Sequence, residues 1–476
     1  MPAFQRFRQQ WVRPALFFGN NLISLIGGAI TSASAFVLIG FWLVDALGHS
    51  GSQNPYIGII LDFFLPGLFL LGLALIPIGM LLRRSQLRRT GKIPAAFPRI
   101  DFNDPVFRHG VDIVLIATFF NFIILGTATY RGVAYMDTVS FCGQTCHVMA
   151  PEGTAYPVST HSGVACVDCH VGSGVGGYVH AKVNGTKQLI DVLRNHYPTP
   201  VMPNDMLPPA SQTCLHCHRA DAWIGDKILL RTTFGDDEKN TPSRSLILLP
   251  VGGRAVNGSL SGIHGAHLGH IEYISTDSTH QTIHYVAKTE PNGTVTEFLD
   301  TDRKTAMTGI RRTMDCTDCH NRVAHSFDTP THAVDASMLA GAINPNLPYI
   351  HQQSVALLKV AYPSREQARI RIAAALNRFY QTRYPQLWQS DQPQIAQAAA
   401  RLTTLWSQNV FPFLRVTWGT HPNNLGHNNY PGCTRCHDGS HNTASGQSIP
   451  SDCTTCHNVL SVDDSNRKQL ADLGVQ

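Results

Sequence analysis

Several things are missing from this chain, and each absence narrows what it can be. From Leu22 to Val44 there is no charged residue, a stretch long enough to span a bilayer. No cysteine stands alone: all twelve fall into six close pairs, so no thiol is left over. No Gly-rich phosphate loop and no catalytic serine triad stands out, which sets aside those two chemistries. Nor is there a basic excess beyond the first third, since from Arg131 onward Lys and Arg number 27 and Asp and Glu 27. Nucleic acid is therefore not an expected partner.

What the chain does have is a repeated cysteine pattern. The pairs are Cys142/Cys146, Cys166/Cys169, Cys214/Cys217, Cys316/Cys319, Cys433/Cys436 and Cys453/Cys456, each followed at once by a histidine: His147, His170, His218, His320, His437 and His457. This is the attachment pattern of c-type haem, in which the thiols add to the porphyrin vinyl groups and the imidazole reaches the iron. Structural zinc wants four ligands, usually from two pairs close in sequence, whereas here the gaps between pairs run from about 16 to about 115 residues. Disulfides would leave the histidines unexplained. The pattern predicts six haem c groups, and the first pair differs in having three spacer residues, Gly143, Gln144 and Thr145, where the others have two.

Six porphyrins change the arithmetic of core size for 476 residues. Each brings a large apolar surface, so the domain needs few aliphatic core residues and can be loop-rich, which suits the 39 glycines and 28 prolines. The formal charge of +5 sits before Tyr130, where ten Lys or Arg face five Asp or Glu. Beyond it the polypeptide is neutral, so ionised propionates set against ferric centres would leave roughly −6 there. A redox partner with a basic docking patch is expected.

Arg6, Arg8 and Arg13 precede the first apolar run, which continues past Ala33 and Ala35 through Phe36 to Val44 and so favours an uncleaved signal anchor over a cleaved signal peptide. The loop Gly48 to Pro55 has no Lys or Arg. A second run goes from Tyr56 to Leu82, then comes a loop with Arg83, Arg84, Arg88, Arg89, Lys92, Arg99 and Arg108, then a third run from Ile113 to Tyr130. The positive-inside rule places the N-terminus and the arginine loop inside and the cysteine pairs outside. Haem is attached to cysteine pairs outside the cytoplasm, so the expected location is a bacterial inner membrane with the haem domain on the periplasmic side. Asp62, in the second run, is either a functional group or a solvated interfacial carboxylate.

Strand-like patterns appear after the third motif. Ile283 to Thr289 and Thr294 to Leu299, joined by Glu290-Pro291-Asn292-Gly293, read as a β-hairpin because Asn-Gly readily takes positive φ in a tight turn. Ser364, with Gln367 three residues on, caps a helix running to about Tyr380, and a second helix runs from Asp391 to about Ser407. Ile370, Ile372, Leu376 and Leu402 are assigned to their core faces. The expected fold is membrane α, with three transmembrane helices in residues 1–130, plus a loop-rich, mostly α multihaem cytochrome c domain with a small β insert. That domain divides into 131–218 with the first three motifs, 219–312 as the insert and 313–476 with the last three motifs.

The run Phe141-Cys142-Gly143-Gln144-Thr145-Cys146-His147-Val148-Met149 after an apolar span, followed by His161 and Cys166-Val167-Asp168-Cys169-His170, resembles the NapC/NirT family of membrane-anchored cytochromes. The resemblance covers about Pro105 to His218. Met314-Asp315-Cys316-Thr317-Asp318-Cys319-His320-Asn321-Arg322 and Cys433-Thr434-Arg435-Cys436-His437-Asp438-Gly439-Ser440-His441 are similar to segments of larger inner-membrane multihaem cytochromes of respiratory and metal-reducing bacteria. The resemblance implies quinol oxidation at the membrane-proximal haem and electron export through the rest. It also implies that Met149 ligates the first haem and that His161 is a distal ligand. The smaller family members have one span and four haems, and the first spacer here is one residue longer than usual.

Seventeen histidines lie outside the motifs. By position, the candidate distal ligands are His161, His264 and His267 before the hairpin, His325 after the fourth motif, and His427 and His441 on either side of the fifth. Glu152, Lys187 and Asp191 are candidate proton acceptors for quinol. The function expected is a membrane-bound hexahaem cytochrome that oxidises membrane quinol and passes electrons to a periplasmic redox partner. The alternatives are a terminal reductase acting at an open haem and an electron-wiring subunit of a larger membrane complex.

Overall fold

The computed structural model describes residues 13–47, 64–93, 105–172, 174–201, 208–218, 225–254 and 260–462; the Gly48 to Pro55 loop, Asp62 and Arg99 lie outside them. The chain divides into two compact units, Met1–Thr145 and Cys146–Gln476.

The first unit is helical, with α1 Arg13–Gly19, α2 Leu22–Leu47, α3 Leu65–Arg89 and α4 Pro105–Met136. Among the described residues, Leu22–Gly40 and Leu65–Arg89 are long and apolar enough to cross a membrane, by length and composition. α2 and α3 meet through small residues. A Cβ on Gly27 would lie 2.7 Å from the Gly72 carbonyl oxygen and one on Gly79 2.5 Å from Ser24 Oγ, while Ser24 Oγ donates to the Ile76 carbonyl at 2.8 Å. Lipid gives two apolar helices no hydrophobic reason to associate, so close backbone contact and a hydroxyl bond hold such a pair. Leu38, Phe69 and Ile124 form a buried cluster that joins α2, α3 and α4.

The second unit opens with α5 Ala150–Ala155, α6 Cys166–His170 and α7 Gly174–Leu193. β1 Lys227–Phe234 and β2 Pro242–Leu249 then pair antiparallel, Lys227 opposite Leu249 and Phe234 opposite Pro242. A short ribbon, β3 Gly253–Arg254 with β4 Leu260–Ser261, leads into α8 Gly262–His267. β5 Ile271–Ser275, β6 Ile283–Thr289, β7 Val295–Leu299 and β8 Ile310–Thr313 form an antiparallel sheet in the order β7-β6-β5-β8. β6 and β7 are the hairpin expected from Asn292-Gly293: Gly293 takes φ +83°, and its N–H donates to the Glu290 carbonyl at 2.8 Å.

Between the fourth and fifth motifs lies a helical lobe of α9 Pro330–Leu339, α10 Ile350–Leu358, α11 Arg365–Arg383 and α12 Gln392–Asn409. Ser364 caps α11 by accepting from Gln367 N at 3.2 Å. Ile372, Leu376 and Leu402 are buried with Tyr380 and Trp406, but Ile370 is 47% exposed. Residues two apart on a helix point about 200° apart, so only one of Ile370 and Ile372 can face the core. The loop after β1 ties the sheet to this lobe. Asn240, at φ +47°, donates to the Pro345 and Leu347 carbonyls and accepts from His351 N. His351 is buried between two carboxylates, with Nδ1 2.8 Å from Asp236 and Nε2 3.3 Å from Asp335. Directly after the sixth motif, β9 Asn458–Val462 pairs antiparallel with β2, so the last described strand completes the first sheet of the insert.

Candidate haem sites

Each regular motif folds as one tight turn. The histidine N–H closes it on the carbonyl of the first cysteine: His218 on Cys214 and His320 on Cys316 at 2.8 Å, His437 on Cys433 and His457 on Cys453 at 3.1 Å. Cys166–His170 is a turn of α6. A helical turn brings positions i, i+3 and i+4 to one side, so two sulfurs and an imidazole can address one planar group. At the fourth motif Asp315 and Asp318 make a capping box, with Asp318 Oδ2 accepting from Asp315 N at 2.7 Å. The longer first spacer lies in a π-helical turn, Phe141–Thr145, whose i→i+5 bonding takes an extra residue into each turn.

Five motif histidines face a second histidine. Ring centroids are 5.9 Å apart for His218 and His161, 6.1 Å for His170 and His325, 6.4 Å for His320 and His264, 5.8 Å for His437 and His267, and 6.1 Å for His457 and His427. A metal–imidazole bond of about 2 Å on each side, plus about 1 Å from nitrogen to ring centre, separates two axial imidazole centroids by about 6 Å. The donor set therefore fits six-coordinate haem iron at these five motifs. His267 Nδ1 donates to the Ile263 carbonyl at 2.7 Å and His437 Nδ1 to the Pro450 carbonyl at 2.6 Å. Such bonds fix the tautomer and leave Nε2 as the ligand nitrogen. Burial lowers the pKa of His170, His267 and His320, and burial with His170 and Arg322 nearby brings His325 down to about 4, so these rings are neutral, as ligation requires.

Successive motifs from the second onward are neighbours. Cys169 lies near Cys214 and Cys217, Cys214 near Cys316, Cys319 near Cys433, and Cys433 near Cys456. His264 and His267, one turn apart on α8, face the fourth and fifth motifs respectively.

The remaining candidates are placed differently. His441 faces no motif histidine among the described residues: it is buried, its Nε2 donates to the Ile283 carbonyl at 3.0 Å, and its Nδ1 faces Asp438 at 3.2 Å. Both nitrogens thus face protein groups, Nε2 the Ile283 carbonyl and Nδ1 Asp438, and neither is turned across an iron-sized gap to a motif histidine among the described residues. His147 lies against Tyr197, with Nε2 3.3 Å from the phenol oxygen. Met149 is half-buried on a cluster that contains Val148, Phe327, Phe411 and Leu414, and Val192 at the end of α7 packs there too. Glu152 stands on α5 just beyond. Burial pushes its carboxyl above the usual range against the pull of Arg322, and Oε2 has no hydrogen-bond partner among the described residues. Lys187 is exposed and Asp191 half-buried, one turn apart on α7.

Reasoning from the sequence missed Tyr197 and also Arg322, which lies half-buried two residues after His320 and donates to His421 Nδ1 at 3.2 Å. The longer first spacer and Met149, two residues after His147, were the hints that the first motif has different company.

The family model for the N-terminal region of the NapC/NirT cytochrome c family matches residues 107–228. The cytochrome c-type protein ImcH of Geobacter sulfurreducens is 36% identical over 450 residues, 92% of this chain and 88% of that protein. No solved structure matches. With haem-attachment turns, facing imidazoles and apolar helices on one chain, this protein belongs to the NapC/NirT family of membrane-anchored, electron-transferring c-type cytochromes.

Proposed function

We propose that this chain is a hexahaem quinol-oxidising cytochrome. In this reading it has three spans, α4 being the third, and its haem domain lies on the periplasmic side of a bacterial inner membrane. The observation that carries the reading is the set of five imidazole pairs at iron-ligating separation on motifs that follow one another in space. Haem, when bound, supplies one-electron iron couples. The motif cysteines anchor it; His170 with His325, His218 with His161, His320 with His264, His437 with His267, and His457 with His427 hold its iron. Met149 serves the first motif, as the family resemblance implies.

Quinol oxidation releases protons as well as electrons, and Glu152 is suited to take one. Burial raises the affinity of its carboxylate for a proton above the ordinary, and Oε2 has no hydrogen-bond partner among the described residues. Lys187 and Asp191 on α7 are the further acceptors. Electrons leave at the C-terminal motifs to a periplasmic redox partner, which the acidic haem domain would steer in through a basic patch. Two imidazoles facing each other at each of five motifs would occupy both axial positions of a haem bound there, which speaks against a terminal reductase needing an open coordination site away from the membrane. Intact mass and quinol kinetics test the proposal. The mass should exceed the polypeptide by six haems, and a quinol analogue should reduce all of them. Five haems, or reduction by dithionite alone, would refute it.

A further inference from the structure

Five of the six motif histidines face another imidazole across about 6 Å, with the room between the rings that a metal and two bonds require. His147 is the exception. Its ring centroid is 6.0 Å from that of Tyr197, edge to face, and its Nε2 is in direct contact with the phenol oxygen at 3.3 Å. Nε2 is the atom a motif histidine gives to iron, and here it is occupied in either tautomer. If the phenol donates, the Nε2 lone pair is used; if Nε2–H donates, there is no lone pair.

The placement of Tyr197 is built into the backbone. α7 ends with Arg194 N donating to Ile190 O and Asn195 N to Val192 O, both at 3.0 Å, and His196 N to Asp191 O at 2.7 Å. Asn195 takes the left-handed conformation, φ +54°, that Asn tolerates better than most residues. This reversal turns the chain so that Tyr197 packs on the cluster of Val148, Phe411, Leu414 and Val416, which also takes Cys146 and Met149.

We infer that Tyr197 is a positioning residue whose hydroxyl keeps the His147 imidazole from the first haem iron and so makes way for the Met149 ligation that the family resemblance implies. The inference rests on the reading that the first motif carries haem. The thioether of Met149, on the same cluster, is then the protein donor left for that iron, and a methionine in place of an imidazole raises the potential of a haem. Such a centre differs from the other five in spectrum and potential through a hydroxyl that belongs to neither ligand.

The test uses the full-length protein in detergent. In the wild type, near-infrared magnetic circular dichroism should count five bis-imidazole ferric haems and one of another type. Tyr197→Phe keeps the ring and its packing but removes the hydroxyl. With an unchanged haem mass, it should convert the odd centre toward imidazole ligation and move one haem's share of the redox titration to lower potential. Six bis-imidazole haems in the wild type would overturn the inference. So would a Tyr197→Phe protein with a full haem complement and spectra and potentials superimposable on the wild type. A wild-type mass short by one haem would remove the underlying reading of the first motif, a different failure from either of these.

Discussion

His264 and His267 stand one turn apart on α8, yet they face imidazoles of two different motifs, His320 at 6.4 Å and His437 at 5.8 Å. One short helix therefore fixes the spacing of two imidazole pairs, and would fix that of two haem irons held between them. Its start is tied down, since the Pro250 carbonyl accepts from Ile263 N at 2.9 Å and the Val251 carbonyl from His264 N at 3.1 Å. Replacing His264 by Ala should convert one haem to high spin in the ferric electron paramagnetic resonance spectrum and leave the rest low-spin. A fully low-spin spectrum would mean that His264 is not a ligand.

Glu152→Gln keeps the shape of the side chain and removes its capacity to take a proton. General-base assistance is worth about 10²–10⁴-fold, so reduction by a quinol analogue should slow within that range while dithionite reduction of every haem is unchanged. Stopped-flow absorbance at the haem bands reads both. Equal quinol rates in variant and wild type would pass the role to Lys187 or Asp191.

His351 gives the helical lobe a pH-dependent tie. Burial lowers its pKa, but the hydrogen bonds to Asp335 and Asp236 outweigh that and raise it above the ordinary value of 6.5. A group whose folded pKa is raised stabilises most below its unfolded pKa, and the contribution fades as pH rises through the folded value. His351→Gln should therefore cost more stability at about pH 5.5 than at about pH 8.5, measured by urea unfolding followed by circular dichroism. A difference independent of pH would contradict this.

Gly72 lies where α2 and α3 touch, and a Cβ there would fall 2.5 Å from Thr31 Oγ1 and 2.7 Å from Thr31 N. Gly72→Leu should force the two helices apart and lower the detergent-solubilised melting temperature of the membrane unit, whereas Gly67→Leu, on an open face, should leave it unchanged. Similar melting for both variants would argue against close packing of this pair.

Local chemistry was legible in the sequence. The cysteine-pair turns, the Asn292-Gly293 hairpin and the Ser364 cap depend on residues within one turn of one another, and the structure has each where the pattern puts it. Partnership between segments was not legible. His325 follows the fourth motif but faces His170 of the second, and His427 precedes the fifth but faces His457 of the sixth. Those pairings are set by how loops return through space, which neither spacing nor periodicity encodes. His441 sits as near a motif as any of these histidines, yet its nitrogens go to Ile283 and Asp438. Tyr197 carried no mark in the sequence, because a tyrosine after a helix is ordinarily read as packing.

The pairing of β9 with β2 gives the protein an order of assembly. A chain made from its N-terminus presents β2 long before β9, and until β9 arrives one side of β2 is an open strand edge, the kind of surface that recruits other chains. The imidazole that faces His170 likewise emerges only after the fourth motif has passed. Early attachment sites therefore wait, half-furnished, for residues not yet made. A chain shortened by its last twenty or so residues would lose more than the sixth motif: it would leave the insert's first sheet unclosed and should be cleared by proteases or aggregate.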